Sequence, residues 1–178
     1  SWADGYDAEV ASNGYATPAR CAAALVAVGV PRRAQILDFG CGTGLSGEAF
    51  CAAGFDTIDG SDLSDGMLEQ ARAKRVYRRL TKIGPDDPLP AGYTVIAAVG
   101  VIGAGAAPLI VLDRIIEALP TGGLAVFSFN DHTLADPSYA ARVDALTAEG
   151  RVAVRVRPPG PHLPARGLGS TVYVLEKS

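Results

Sequence analysis

The stretch "QILDFGCGTGLSGEAF" (Gln35–Phe50) constrains this chain more than any other. Gln35–Phe39 reads as a short buried strand, and Leu45 onward reads as a helix ending near Gly54. Between them Gly40, Gly42 and Gly44 stand at alternate positions, just after Asp38. A strand that runs through a glycine turn straight into a helix is the entry unit of a parallel α/β sheet. There the missing side chains let backbone come close to a ligand.

The rest of the chain alternates in the same way. "TPARCAAALVAVGV" is predicted helical, with Thr17 as its cap, Pro18 in the first turn and Gly29 at the exit. "FDTIDGSD" is a second strand. Ser64 is placed to cap the helix "DGMLEQARAKR", whose Met67, Leu68 and Ala71 share one side. "VYRRL" makes a weak third strand and "YTVIAAV" a strongly apolar fourth. "LIVLDRIIEAL" is a helix halted by Pro120, and "LAVFSF" is a fifth strand. A helix near 138–148 precedes two alternating segments, "RVAVRVR" and "STVYVLEK", joined by "PPGPHLPARGLG", which reads as a loop. The expected fold class is therefore α/β: a Rossmann-like, doubly wound, mostly parallel seven-stranded sheet with an antiparallel C-terminal hairpin. With 178 residues, no repeat and no linker, a single domain over 1–178 is expected, with a cap segment and helix over 1–30 and the core over 31–178.

Such a fold binds ligands outside the carboxyl ends of its strands. That rule selects Asp38–Gly44, Asp62–Ser64, Val99–Ile102 and Asn130–His132. Composition narrows what the ligand is. A net charge of -3 argues against a general nucleic-acid surface, and the cluster Arg72, Lys74, Arg75, Arg78, Arg79 and Lys82 reads as a solvated helix face. Cys21, Cys41 and Cys51 are odd in number and lack metal-type spacing, which suits a reducing compartment and no metal. No apolar run is long enough to span a membrane, so a cytoplasmic protein is expected.

Asp62, at the end of the second strand, is well placed to accept both hydroxyls of a ribose. A dinucleotide needs G-x-G-x-x-G with a pyrophosphate over the helix N-terminus, whereas this chain has G-x-G-x-G with a carboxylate beside it. Asp38 would repel a pyrophosphate and attract an ammonium. S-adenosylmethionine carries an α-amino group and a sulfonium and no phosphate, so the charge pattern favours it over NAD.

At these residues the chain resembles class I S-adenosylmethionine-dependent methyltransferases: "ILDFGCGTG", "GSDLSDGMLEQAR" and "EALPTGGLAVFSF" look like their first, second and fifth strand regions. With "WADGYDAEVASNGYATPAR" it is similar to a group of small methyltransferases that includes the Williams–Beuren-syndrome-region methyltransferase-like proteins and bacterial relatives, some fused to tetratricopeptide repeats. The resemblance implies that backbone at Gly40, Cys41, Gly42 and Gly44 lines the methionine portion, with Asp38 holding its amino group directly or through water. It also implies that Asp62 binds the ribose and that Leu63 and Met67 flank the adenine. Ile83, Gly84 and Pro85 would lie at the adenine edge, Val99 below the sulfonium, and Tyr6 over the cofactor. Gly84 stands where the family commonly has an acid, and Thr94 where an aromatic–Asp pair often opens the fourth strand.

Methyl transfer needs alignment of a nucleophile and exclusion of water, with a base only where the acceptor must lose a proton. His132, in "FSFNDHTL", is the candidate base, although "NDH" is also a chain-turning sequence. Tyr15, Ile102, Asn130 and His162 are candidates for the acceptor site. No Asp/Asn-Pro-Pro-aromatic motif follows the fourth strand, where the chain reads "AAVGVIGAGAAPL". This argues against amino-group methylation of adenine or glutamine and for a small-molecule acceptor. The alternatives are a non-catalytic S-adenosylmethionine-binding module acting through a protein partner, and, against the charge pattern, an NAD-dependent oxidoreductase.

Overall fold

A computed structural model describes residues 5–8 and 14–178. Residues 5–8 form a helical turn. The helix α1 (Thr17–Ala27) then leads to β1 (Ile36–Phe39), α2 (Leu45–Ala52), β2 (Ile58–Asp62), α3 (Asp65–Ala73) and β3 (Arg79–Lys82). Next come β4 (Val95–Ala98), α4 (Ile110–Ala118), β5 (Leu124–Asn130), the short α5 (Asp131–Leu134) and α6 (Pro137–Ala148). The chain closes with β6 (Val152–Val156), β7 (Pro159–Leu163) and β8 (Leu168–Lys177).

The strands form one sheet in the order β3-β2-β1-β4-β5-β8-β6, with β7 also paired to β8. β1 to β5 run parallel, and β8 is antiparallel to β5. Strand order reverses between β1 and β4, which opens a crevice at their carboxyl ends.

Both faces of the sheet are covered, and strand periodicity decides which side chain goes where. On β5, Leu124 and Val126 join Val172 and Val174 of β8 beneath α1 and α2, around Leu25 and Phe50. The intervening Ala125, Phe127 and Phe129 join Tyr173 and Leu175 against α4 and α6. Among the described residues no helix is long and apolar enough to cross a membrane.

The structure differs from the sequence reading in three places. The stretch between the last two strands is not only a loop: it contains β7, so the sheet has eight strands rather than seven. β6 and β7 occupy one lane along β8, with bulges after Val154 and Pro161, so the lanes still number seven. Proline is tolerated there because this lane is an edge. The third strand starts at Arg79 instead of Val76: Tyr77 turns inward to Asp38, and at Arg78 the N–H makes the first backbone bond to β2, to the Ile58 carbonyl at 2.7 Å, while the side chain pairs with buried Asp59 (2.9 Å). Thr17 does not cap α1. Its hydroxyl is held by His162 and Ser170, while Ser64 does cap α3 through the Met67 N–H.

Candidate active site

A cavity of about 620 Å³ lies at the carboxyl ends of β1 to β4, lined by the segments that leave those strands. The turn after β1 forms its floor. Gly40 adopts φ +67°, and a Cβ there would lie 2.6 Å from Val101, so the turn and the loop after β4 can interlock only through a glycine. The Gly42 N–H donates to Asp62 Oδ2 at 2.9 Å and the Ser64 N–H to Asp62 Oδ1 at 3.0 Å. Asp62 thereby ties the turn after β1 to the start of α3. Each of its oxygens keeps a further lone pair for a ligand.

Asp38 is fully buried and lies beneath the lining instead of within it. Its Oδ2 accepts from Ser46 Oγ and from the Tyr77 hydroxyl, both at 2.6 Å. Its Oδ1 has no hydrogen-bond partner among the described residues. Burial pushes the Asp38 carboxyl up to about 6, with Asp62 adding to the rise and the Ser46 and Tyr77 hydrogen bonds opposing it. A buried carboxylate oxygen without a donor is costly, and a ligand that brings a donor relieves the cost.

Tyr6, Gly40, Cys41, Gly42, Asp62, Leu63, Met67, Ile83, Gly84, Pro85 and Val99 all line the cavity, as does Tyr15. Gly44 does not. It precedes α2 at φ +99°, and a Cβ there would meet Ala71 Cα at 3.2 Å, so its small size serves packing against α3. Tyr6 belongs to the turn over residues 5–8, which is pinned beside the cavity. Asp7 accepts from the Thr43 hydroxyl and pairs with Lys74 Nζ at 2.6 Å, and the same ammonium reaches the Thr43 carbonyl.

His132, Asn130, Ile102 and His162 lie outside the lining. His132 is exposed on α5. Asn130 caps that helix by accepting from the Thr133 N–H at 2.9 Å, so "NDH" turns the chain. Ile102 is buried in the core on the α4 side. His162, on β7, is buried behind Tyr15, with the two rings edge to face at 5.1 Å. Arg20 donates to Ser170 Oγ (2.8 Å), which stands 2.8 Å from Thr17 Oγ1, itself 2.5 Å from His162 Nδ1. Arg20, which only donates, makes Ser170 Oγ an acceptor, and Thr17 Oγ1 is held between that hydroxyl and His162 Nδ1. Burial, then Arg20, lowers the His162 pKa. The residue locks α1 to the C-terminal hairpin.

Several polar residues of the site escaped the sequence reading, Thr43 and Ser46 of the lining among them. Asp87 lines the cavity and accepts from the Gly84 N–H at 2.6 Å, a local turn signalled by "GPDDP". Arg114 reaches the same rim from α4 and donates to the Pro85 carbonyl at 2.9 Å. Tyr77 touches Asp38 from 39 residues away, and no local signal marks it.

Comparisons with known proteins bear on the family and the fold. The methyltransferase domain family matches residues 15–159. Human methyltransferase-like protein 27 is 41% identical over 107 residues, which are 58% of this chain and 43% of that protein, so the match spans less than half of the relative's length. A TehB-like SAM-dependent methyltransferase from Corynebacterium glutamicum superposes with a TM-score of 0.69 at 21% identity, covering 99% of this chain and 98% of its own. Magnesium protoporphyrin IX methyltransferase from Synechocystis PCC 6803, solved with bound SAH, superposes with a TM-score of 0.69 at 17% identity, covering 94% and 84%. A putative RNA methyltransferase from Pyrococcus horikoshii reaches 0.71 at 12% identity, covering 90% and 83%. Matched along most of its length, the chain belongs to the methyltransferase domain family and carries the fold of the class I S-adenosylmethionine-dependent methyltransferases.

Proposed function

We propose that this protein transfers a methyl group from S-adenosylmethionine to a small organic acceptor by in-line displacement. The observation that supports this best is a pair of carboxylates around a glycine turn. Asp38 lies below the turn with an oxygen that has no partner among the described residues, and Asp62 lines the cavity. Two acids there disfavour a pyrophosphate and favour a ligand with a cationic end and a ribose. In this reading Asp62 accepts the ribose hydroxyls and Asp38 Oδ1 takes the amino group, directly or through one water. Backbone at Gly40, Cys41 and Gly42 admits the methionine portion, Leu63 and Met67 flank the adenine, Ile83, Gly84 and Pro85 meet its edge, and Val99 lies below the sulfonium.

Bound S-adenosylmethionine supplies a methyl carbon already activated by its sulfonium. The chain's own part is to align and to exclude water. Tyr6 lines the cavity, and its turn is tied to the segment after β1 and to α3 through Asp7, Thr43 and Lys74. Among the described residues no histidine lines the cavity, and burial raises the pKa of the Tyr15 phenol and the Cys41 thiol. An acceptor that arrives already nucleophilic fits such a site, with Tyr15 shaping its place beside Gly100. A volume of about 620 Å³ suits one drug-sized ligand such as the cofactor. The free thiols Cys21, Cys41 and Cys51 suit the cytoplasm.

Calorimetric titration with S-adenosylmethionine, S-adenosylhomocysteine and NAD tests the cofactor, and mass-spectrometric screening of small acceptors tests the substrate class. Binding of the first two and a product heavier by one methylene are expected. Binding of NAD alone, or methylation confined to protein or RNA acceptors, refutes the reading.

A further inference from the structure

Tyr77 stands in the turn between α3 and β3, and the molecule makes unusual room for it. A Cβ at Gly44 would come to 3.3 Å from its ring and one at Gly60 to 3.0 Å, while one at Gly47 would overlap the ring and hydroxyl. Glycines on β2, before α2 and within α2 therefore form a slot for a single side chain. Arg75, in the left-handed region at φ +58°, turns the chain into it. At the end of the slot the Tyr77 hydroxyl accepts from the Gly47 N–H (3.2 Å) and donates to Asp38 Oδ2 (2.6 Å). The Gly47 N–H occupies one lone pair of the phenol and so directs its proton at the carboxylate.

From this arrangement we infer that Tyr77 is a positioning residue for the α-amino group of the cofactor, acting through Asp38. The inference rests on the S-adenosylmethionine reading above. With Tyr77 and Ser46 both donating to Oδ2, that oxygen is saturated, the carboxylate is held in one orientation, and Oδ1 is left for an incoming ammonium or its bridging water. The two donors also favour the ionised form that an ammonium requires. The other groups acting on Asp38 do not replace them. Asp62 opposes its ionisation, and Tyr15, Cys21 and Cys41, which lie in its field, are kept uncharged by burial. Since burial already pushes the Asp38 carboxyl up to about 6, losing the Tyr77 proton raises it further.

The test is Tyr77→Phe, which keeps the ring in its slot and removes only the hydroxyl, with Ser46→Ala as a second variant. S-adenosylhomocysteine and 5′-methylthioadenosine, which lacks the amino-acid end, are titrated calorimetrically between about pH 5 and about pH 8. In the unaltered protein S-adenosylhomocysteine affinity is expected to be flat above about pH 7 and roughly tenfold weaker at pH 5. Tyr77→Phe should move the inflection up by about one to two pH units, leaving binding roughly 2- to 10-fold weaker at pH 7 and recovering toward pH 8. Ser46→Ala should move it the same way. Methylthioadenosine affinity should be equal in all three proteins. A Tyr77→Phe profile that superposes on the unaltered one overturns the inference and leaves the cofactor reading intact, and so does an equal loss for both ligands. An unaltered protein that binds no S-adenosylhomocysteine at any of these pH values overturns both.

Discussion

Asp62→Asn is the substitution whose consequence the structure lets us work through most fully. The carboxylate holds the Gly42 N–H with one oxygen and the Ser64 N–H with the other. An asparagine amide has one oxygen and one NH₂, so it can face only one of these donors. The Ser64 bond is exposed and the Gly42 bond is partly buried. The amide will therefore turn its oxygen to Gly42 and its NH₂ to the exposed side, where water serves the Ser64 N–H. The folded protein should lose about 1 kcal/mol or less, a shift of roughly 2–4 °C in the unfolding temperature. Binding should suffer more. Two ribose hydroxyls need two acceptors, and the variant offers a single neutral one. Losing one hydrogen bond to a charged acceptor costs about 1.5–3 kcal/mol, which is roughly a 10- to 150-fold rise in the S-adenosylhomocysteine Kd. Calorimetric titration and a thermal melt of the same preparation separate the two effects. A variant that binds within twofold of the unaltered protein while melting normally would refute the ribose assignment.

Gly47→Ala should push Tyr77 out of its slot, because the added methyl overlaps the ring. Overpacking of this kind costs about 1–3 kcal/mol, read as a lower urea midpoint. Phe127→Ala removes a fully buried ring that stacks on Tyr173 at 5.0 Å and packs on Phe129 at 5.2 Å. A loss of about 3–5 kcal/mol is expected in urea denaturation, and a loss below about 1 kcal/mol would contradict the packing described. His162 is held neutral in the fold, with its pKa lowered from 6.5, so below that value the unfolded chain binds more protons. Its contribution is complete above about pH 6.5 and is lost as the pH falls. Asp38, with a raised pKa, acts in the opposite sense, its contribution to folding growing as the pH drops below about 6. His162→Gln should therefore show a shallower fall in unfolding temperature between about pH 7 and about pH 5 than the unaltered protein, and an identical slope would contradict the neutral lock.

What was legible in the amino-acid order was legible because it is local. Apolar runs marked β1, β4 and β5, alternation marked β8, and Ser64 announced the start of α3. Strand–glycine–helix order was enough to place the cavity at the carboxyl ends of the strands, since the right-handed crossover leaves few other arrangements. Asp62 at the end of β2 follows from the same order, because the Ile36–Ile58 register brings it level with the turn after β1. Tertiary structure alone decided the rest. The "PPGPHLPARGLG" segment lacks any strand pattern and becomes β7 only because the free edge of β8 offers it backbone partners. His162 was a candidate for the acceptor site and His132 for the base, yet the first is consumed by Thr17 across 145 residues and the second ends on the outside of a helix that Asn130 caps. The same holds for Gly44, Gly47 and Gly60. Their small size is plain in the sequence, but the tyrosine ring they accommodate arrives from a segment with no periodicity to announce it. Hydrogen bonds and steric fits between distant segments carry no imprint in local composition, and in this protein they decide how Asp38 is oriented beneath the glycine turn.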